Sequence, residues 1–265
     1  MLKMSFRSSF KILQLIGYGH RSNVFKCIHK KTKKEYACKV VTGNNIKKTV
    51  FDENNSLICD HPNINKIEGV YYTHENGIEK KFIVSELGDG DLFDFVEKIK
   101  VSEKEIKIMV KQMALAIRYI HDKNICHRDV KLENFIYTYD KNNIIQVKMI
   151  DFEFSRQFSK DEYITGRMGT PSYAAPELMK LQKYNHKIDI WSLGISCYML
   201  LSYYNPINKK IWLNKRRQEF NIDYDIFEWK NRSKLSKDFV SCMLQKDPSQ
   251  RYSIERVLQH EWLTI

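Results

Sequence analysis

The chain has 265 residues, of which 43% are hydrophobic and 29% charged, enough for one large domain or two lobes and too apolar for a disordered chain. Its 44 Lys and Arg against 32 Asp and Glu give a formal charge of +12, which draws polyanions. The bases are nevertheless dispersed, with clusters only at 30–34 and 208–217 that solvated faces explain equally well, so nucleic acid is not the expected partner. MLKMSFRSSF at the start lacks the apolar core of a signal peptide. Cys27, Cys38, Cys59, Cys126, Cys197 and Cys242 stand far apart with no C-x-x-C pair, which fits reduced, mostly buried thiols. An intracellular protein is expected, cytoplasmic or nuclear.

In chain order, the first third alternates short runs of β-branched and aromatic residues with turns: FKILQLIGYG, SNVFKCIHKK, EYACKVV, INKIEGVYYT and KKFIVSEL. These predict strands of an antiparallel sheet, with HENG at 74–77 supplying hairpin chemistry. After residue 90 the period changes. Ile106, Met109, Val110, Met113, Ile117 and Ile120 recur at helical spacing, behind Ser102 as a cap for Glu105. IDIWSLGISCYMLLSYY is interrupted by Asp189 and falls short of the roughly 20 residues that span a bilayer; it predicts a core helix and no membrane partner. The chain therefore divides near 87–90 into a β-rich lobe, 1–87, and a larger α-rich lobe, 88–265.

Three stretches carry chemistry. LIGYGHRSNVF puts Gly17 and Gly19 at a strand end, where backbone N–H groups approach a phosphate closely, although a G-x-G turn alone also makes an ordinary hairpin. In YACKVV, Lys39 stands between apolar neighbours and must snorkel or meet an anion. ICHRDVKLENF gathers His127, Arg128, Asp129, Lys131, Glu133 and Asn134 within eight residues, flanked by apolar residues on both sides. That density of polar groups demands a polar task. VKMIDFEF then runs an apolar strand into Asp151, Phe152 and Glu153.

These pieces, with APE at 175–177, DIWSLG at 189–194 and Arg251 in DPSQR, resemble the eukaryotic protein kinases, serine/threonine type, in the family's order and over nearly the whole chain, 10–263. GTPSYAAPE and DPSQRYSIERVLQHEWL are most similar to the calmodulin-dependent and AMP-activated branch. The resemblance implies an α+β, bilobal fold with an ATP cleft between the lobes, and transfer of the ATP γ-phosphoryl group to protein Ser/Thr hydroxyls with Mg²⁺, or Mn²⁺ in its place. It implies Asp129 as catalytic base and Lys131 as the lysine steadying the transferred group. Asn134 and Asp151 match the metal ligands.

For nucleotide, the resemblance points to Ile16, Gly17 and Gly19 of the glycine-rich loop, to Val24, Ala37 and Ile136 around adenine, and to Glu86 and Leu87 beside Ser85 at the gatekeeper position. Lys39 is expected on the α- and β-phosphates, paired with Glu53, or with Asp52, on the small lobe's helix. Thr170 is expected against Asp129 in the substrate groove. Glu133, Asp89 and Asp91 would favour a basic residue upstream of the acceptor, but Met199 stands where arginine-directed members often have glutamate, so the resemblance leaves substrate preference open. Glu177 and Arg251 match a buried ion pair, and Asp189 the residue that holds the catalytic loop. Thr165 is the expected regulatory site, modified by an upstream activating kinase. The chain is expected to lack an autoinhibitory or calmodulin-binding helix.

Two positions depart from the pattern. Ser22 replaces the third glycine of the loop, and Glu153 replaces the glycine of D-F-G, where its carboxylate either adds a ligand or points to solvent. The alternative expectation is a pseudokinase scaffold that binds nucleotide or a partner without catalysis.

Overall fold

The structure, a computed structural model, describes residues 5–19, 22–43, 46, 60–75, 77–159, 163–207 and 222–264. It divides into two compact units, Met1–Asp89 with Asp151–Glu153, and Gly90–Ile150 with Phe154–Ile265. The first is built on a sheet and the second is mainly helical, an α+β chain.

Each β-like run of the first third forms a strand: β1 (Phe10–Tyr18), β2 (Ser22–His29), β3 (Glu35–Thr42), β4 (Ile67–Glu75) and β5 (Ile78–Ser85). They pair antiparallel in the order β1-β2-β3-β5-β4. Glu75 pairs with Ile78, and Gly77 takes φ +76, a conformation that the primed hairpin turns require and glycine adopts without a steric cost. One face is covered by a short helix that the sequence reading missed, α1 (Phe6–Ser9). It lays Phe6 flat on Phe82 at 4.3 Å and against Phe10 at 5.5 Å between ring centroids. With Cys27, Cys38 and Val84, these rings make the unit's hydrophobic core.

In the second unit, α2 (Leu92–Lys98) is capped by Asp91, whose side chain accepts from the Asp94 N–H. The next helix, α3 (Glu103–Asp122), begins with a full capping box: Ser102 accepts from Glu105 N–H while the Glu105 carboxylate accepts from Ser102 N–H. Its apolar positions, from Ile106 to Ile120, are buried as their spacing predicts. After α4 (Pro176–Met179) comes α5 (Lys187–Ser202), in which all but Lys187 and Ser192 are buried. A helix apolar on every side belongs in a core. It packs against α6 (Lys234–Met243), and α7 (Ile254–Leu258) and α8 (Glu261–Thr264) follow. No helix among the described residues is long and apolar enough to cross a membrane.

Two small sheets frame the polar loops. β6 (Gly90–Asp91), β8 (Phe135–Tyr139) and β9 (Ile145–Met149) pair in the order β6-β8-β9, and β7 (Ile125–Cys126) pairs with β10 (Arg156–Gln157). The stretch 127–134 is therefore held by strand pairing at both ends.

Candidate active site

In the first unit, strand register brings the separated candidates together. Gly17 pairs with Val24, Val24 with Lys39, and Ala37 with Ser85. Because side chains directly across a ladder share a face, Val24, Ala37, Lys39 and Ser85 line one face of the sheet. Ile16 is exposed, Glu86 and Leu87 are half-buried after β5, and the Glu86 carbonyl accepts from the Asn65 side chain at 3.2 Å. The Gly19 N–H donates to the Ser22 carbonyl at 2.7 Å, closing the glycine turn. The Ser22 hydroxyl is buried and without a partner among the described residues. Glu53 and Asp52 lie outside them.

Lys39 Nζ donates to Asp151 Oδ1 at 2.7 Å and lies 3.7 Å from Glu153 Oε2. The Glu153 side chain is only 3% exposed, so of its two readings the one that points the carboxylate to solvent is overturned. Phe152 is buried too, at 1% exposure. Asp151 takes φ +60, whereas Glu153 is not among the residues of positive φ. The backbone at 153 thus sets no demand for glycine in this conformation.

In the second unit, Asp129 is 5% exposed and is the centre of a polar cluster. Its Oδ1 accepts from the Thr170 hydroxyl at 2.8 Å, and its Oδ2 lies 3.0 Å from Lys131 Nζ and accepts from Asn134 Nδ2 at 3.1 Å. Lys131 Nζ also donates to Thr170 Oγ1 at 2.9 Å. Asn134 Nδ2 donates further to the Asp129 carbonyl at 2.8 Å, which fixes the amide with its oxygen as the remaining acceptor. Glu133 accepts from the Tyr173 hydroxyl at 3.0 Å, and burial pushes its carboxyl above the ordinary range. Ile136 is half-buried on β8.

The loop that carries Asp129 hangs on Asp189, the acid that interrupts the apolar α5. Its carboxylate accepts from the N–H groups of His127 at 2.8 Å and Arg128 at 2.9 Å, and from His121 Nε2 at 2.9 Å. Burial alone would raise the Asp189 pKa, but the His121 bond and the nearby imidazoles outweigh it and hold the group below the usual carboxylate range. Arg128, at φ +66, donates through Nε to the Phe154 carbonyl at 2.6 Å. Gly169 takes φ +87, and a Cβ there would stand 2.2 Å from the Arg128 carbonyl oxygen, so this turn admits no side chain. Thr165 is exposed beside Ile164, whose backbone pairs with Tyr184 at 2.7 and 3.0 Å.

Sequence reasoning missed another polar cluster, Asp238, Cys242 and His260, whose ligand atoms lie within 4.8 Å of one another. Its hydrogen bonds argue against a metal. Trp262 N–H donates to His260 Nδ1 at 3.1 Å, which places the ring proton on Nε2, facing Asp238 at 3.1 Å. A metal-binding imidazole instead keeps its proton on the outer nitrogen, aimed at an acceptor.

The protein kinase domain model matches residues 10–263. The serine/threonine-protein kinase DCLK3 of Mus musculus is 35% identical over 95% of this chain, which spans 32% of that protein. The meiosis-specific serine/threonine-protein kinase mek1 of Schizosaccharomyces pombe is 30% identical over 96% of the chain, which covers 59% of its length. A probable myosin light chain kinase of Dictyostelium discoideum is 31% identical over 96% of the chain and is covered to 83%. With a matching domain model over nearly its full length and relatives of this kind, the chain belongs to the protein kinase domain family, in its serine/threonine, calmodulin-dependent-like group.

Proposed function

We propose that this chain transfers the γ-phosphoryl group of ATP to serine or threonine hydroxyls of protein substrates. The observation that carries the reading is the Asp129 cluster: a buried carboxylate held by Thr170, Lys131 and Asn134. In the step, the substrate oxygen attacks the γ-phosphorus, its proton passes to the Asp129 carboxylate, and the bond to the β–γ bridging oxygen breaks to release ADP. Lys131 offsets charge on the transferred group, and Lys39 holds the α- and β-phosphates. Asn134 and Asp151 offer hard oxygen donors that suit Mg²⁺. The ion, when bound, supplies neutralisation of phosphate charge, and Mn²⁺ fits the same donors.

Substrate choice and regulation follow from nearby residues. Glu133, half-buried beside Tyr173, favours a basic residue upstream of the acceptor. Thr165, exposed on the segment that Ile164 ties to Tyr184, is the site for an upstream kinase, and phosphopeptide mapping of the active enzyme should find it modified.

The test is transfer from labelled ATP to a generic basic protein by wild type, Asp129→Asn and Glu153→Gly. Loss of the base should lower the rate by roughly 10²- to 10⁴-fold. Full activity in Asp129→Asn would sink the mechanism. A silent wild type beside an active Glu153→Gly would favour the binding scaffold instead.

A further inference from the structure

Glu103, the first residue of α3, is a junction between three helices of the second unit. Its Oε1 accepts from the Ser233 hydroxyl at 2.5 Å and from the Trp262 indole N–H at 2.8 Å, and its Oε2 accepts from the Ser233 backbone N–H at 3.2 Å. Ser233 caps α6, accepting from the Ser236 N–H at 3.0 Å, and Trp262 belongs to α8. One carboxylate thus clasps α3 to the starts of both later helices. Burial alone would raise the Glu103 pKa, but the bonds from Ser233 and Trp262, with Arg232 nearby, outweigh it and hold the group below the usual carboxylate range. The clasp is therefore charged at neutral pH.

Trp262 is buried, whereas the Ser233 side of the clasp is open: Lys230, Asn231, Ser233 and Lys234 are all exposed where the chain turns into α6. The hydroxyl has bases three and one residues before it, Lys230 and Arg232, and one directly after it, Lys234. An acidic groove is drawn to such a stretch by charge complementarity. We propose that Ser233 is a phosphorylation site for a protein kinase directed by basic residues, and that its phosphate opens the clasp. In the step, the Ser233 oxygen attacks the γ-phosphorus of ATP, its proton passes to the base of the modifying kinase, and the bond to the β–γ bridging oxygen breaks to release ADP. The proton lost is the one that Glu103 accepts. Two acceptor oxygens do not stay 2.5 Å apart with no hydrogen between them, and the phosphate adds a charge of about −1.5 to −2 beside the carboxylate. Arg232 does not relieve this, because its Nε is committed to the Leu201 carbonyl at 2.7 Å, its guanidinium lies over the Tyr203 ring, and its charge already serves Glu103. As Oε1 leaves Ser233 it leaves Trp262 too, since the same oxygen holds both. The cap of α6 survives, because a phosphate oxygen accepts from the Ser236 N–H in place of the hydroxyl.

For the test, the full chain carrying Asp129→Asn is incubated with Mg-ATP and a purified kinase that requires Arg or Lys three residues before its acceptor, beside a reaction without the added kinase. Mass spectrometry after a non-tryptic digest reads the site, and thermal melting of the modified and unmodified chains reads the clasp. Ser233 should be modified, Lys230→Ala should slow the modification several-fold, and the phosphate should lower the melting temperature by roughly 2–4 °C. In Glu103→Gln, whose amide can donate to a phosphate, less than half of that drop should remain. Should Glu103→Gln not fold, Ser233→Glu against Ser233→Ala makes the same comparison, with the charged variant melting lower. No phosphate on Ser233 of the folded chain overturns the proposal, and a peptide of residues 226–238 treated alongside tells whether the fold or the sequence refuses the kinase. An equal drop in the Glu103→Gln background, or equal melting of the two Ser233 variants, overturns the clasp as the thing the phosphate acts on. Because the modifying kinase is supplied from outside, none of these outcomes depends on whether this chain itself transfers phosphate.

Discussion

Arg251 is fully buried, and its guanidinium meets both oxygens of Glu177, at 2.7 and 3.0 Å. It also donates to the Gln245 and Lys187 carbonyls and lies over the Trp191 ring at 5.2 Å. A pair so enclosed tolerates joint replacement better than loss of one member, which strands the other. Glu177→Ala should therefore cost about 3–5 kcal/mol in urea denaturation, and replacing both residues by apolar ones should recover part of it. His186 makes a pH prediction. Burial first, then the His121 ring 4.8 Å away, depress its pKa from 6.5 to about 4, against smaller opposing effects of Asp189 and Glu255. The folded state thus refuses a proton that the unfolded chain accepts. This contribution to stability is complete above 6.5 and is lost as pH falls towards about 4. Urea midpoints at about pH 4.5 and 7.5 should differ less in His186→Gln than in wild type; an equal difference would exclude His186 as the source. The Glu177–Arg251 pair was readable in advance from motif residues, whereas the meeting of Glu153 with Lys39 was not. Those two are 114 positions apart (153 − 39), and only the fold of the loop after β9 brings them together.

Elements were legible where they were long enough to show a period. The five strands of the first unit and the helices α3 and α5 stand where apolar spacing put them, and Ser102 caps α3 as its sequence signature predicts. The two-residue strands β6, β7 and β10 carry no period at all, so nothing in the sequence marked them. The helix α1 is a different case. It is four residues long, too short for a helical stripe, yet Phe6 and Phe10 are spaced four apart, which a one-turn helix brings to one side. Both are buried, and Phe6 is stacked between Phe10 and Phe82. Phe6→Ala should therefore cost about 3 kcal/mol, at the lower end for buried aromatics because a one-turn helix relaxes readily. A urea midpoint indistinguishable from wild type would mean that the segment leaves the sheet without consequence.

At the scale of the whole chain, the order of its motifs was the strongest signal, because each is short and common alone while their sequence along 10–263 is not. Charge was the weakest. A net +12 fits a binder of polyanions as well as an enzyme with a well-solvated surface, and the two differ in how binding responds to salt and to site chemistry. The hairpin between β2 and β3 exposes Lys30, Lys31, Lys33 and Lys34 together, so some attraction to nucleic acid is unavoidable. Solvated lysines on a hairpin read no base edges, so the attraction they exert comes from counterion release. It should be no tighter than about 10⁻⁴–10⁻⁶ M at physiological salt, blind to sequence, and steeply weakened by added salt. Fluorescence anisotropy with unrelated DNA duplexes over a salt series, in wild type and Asp129→Asn, is the measurement. Equal, salt-sensitive curves for every duplex and both proteins are expected, since the lysines of the hairpin owe nothing to Asp129. A duplex preferred at high salt would instead reveal base-specific contacts, and would give the positive charge a function of its own.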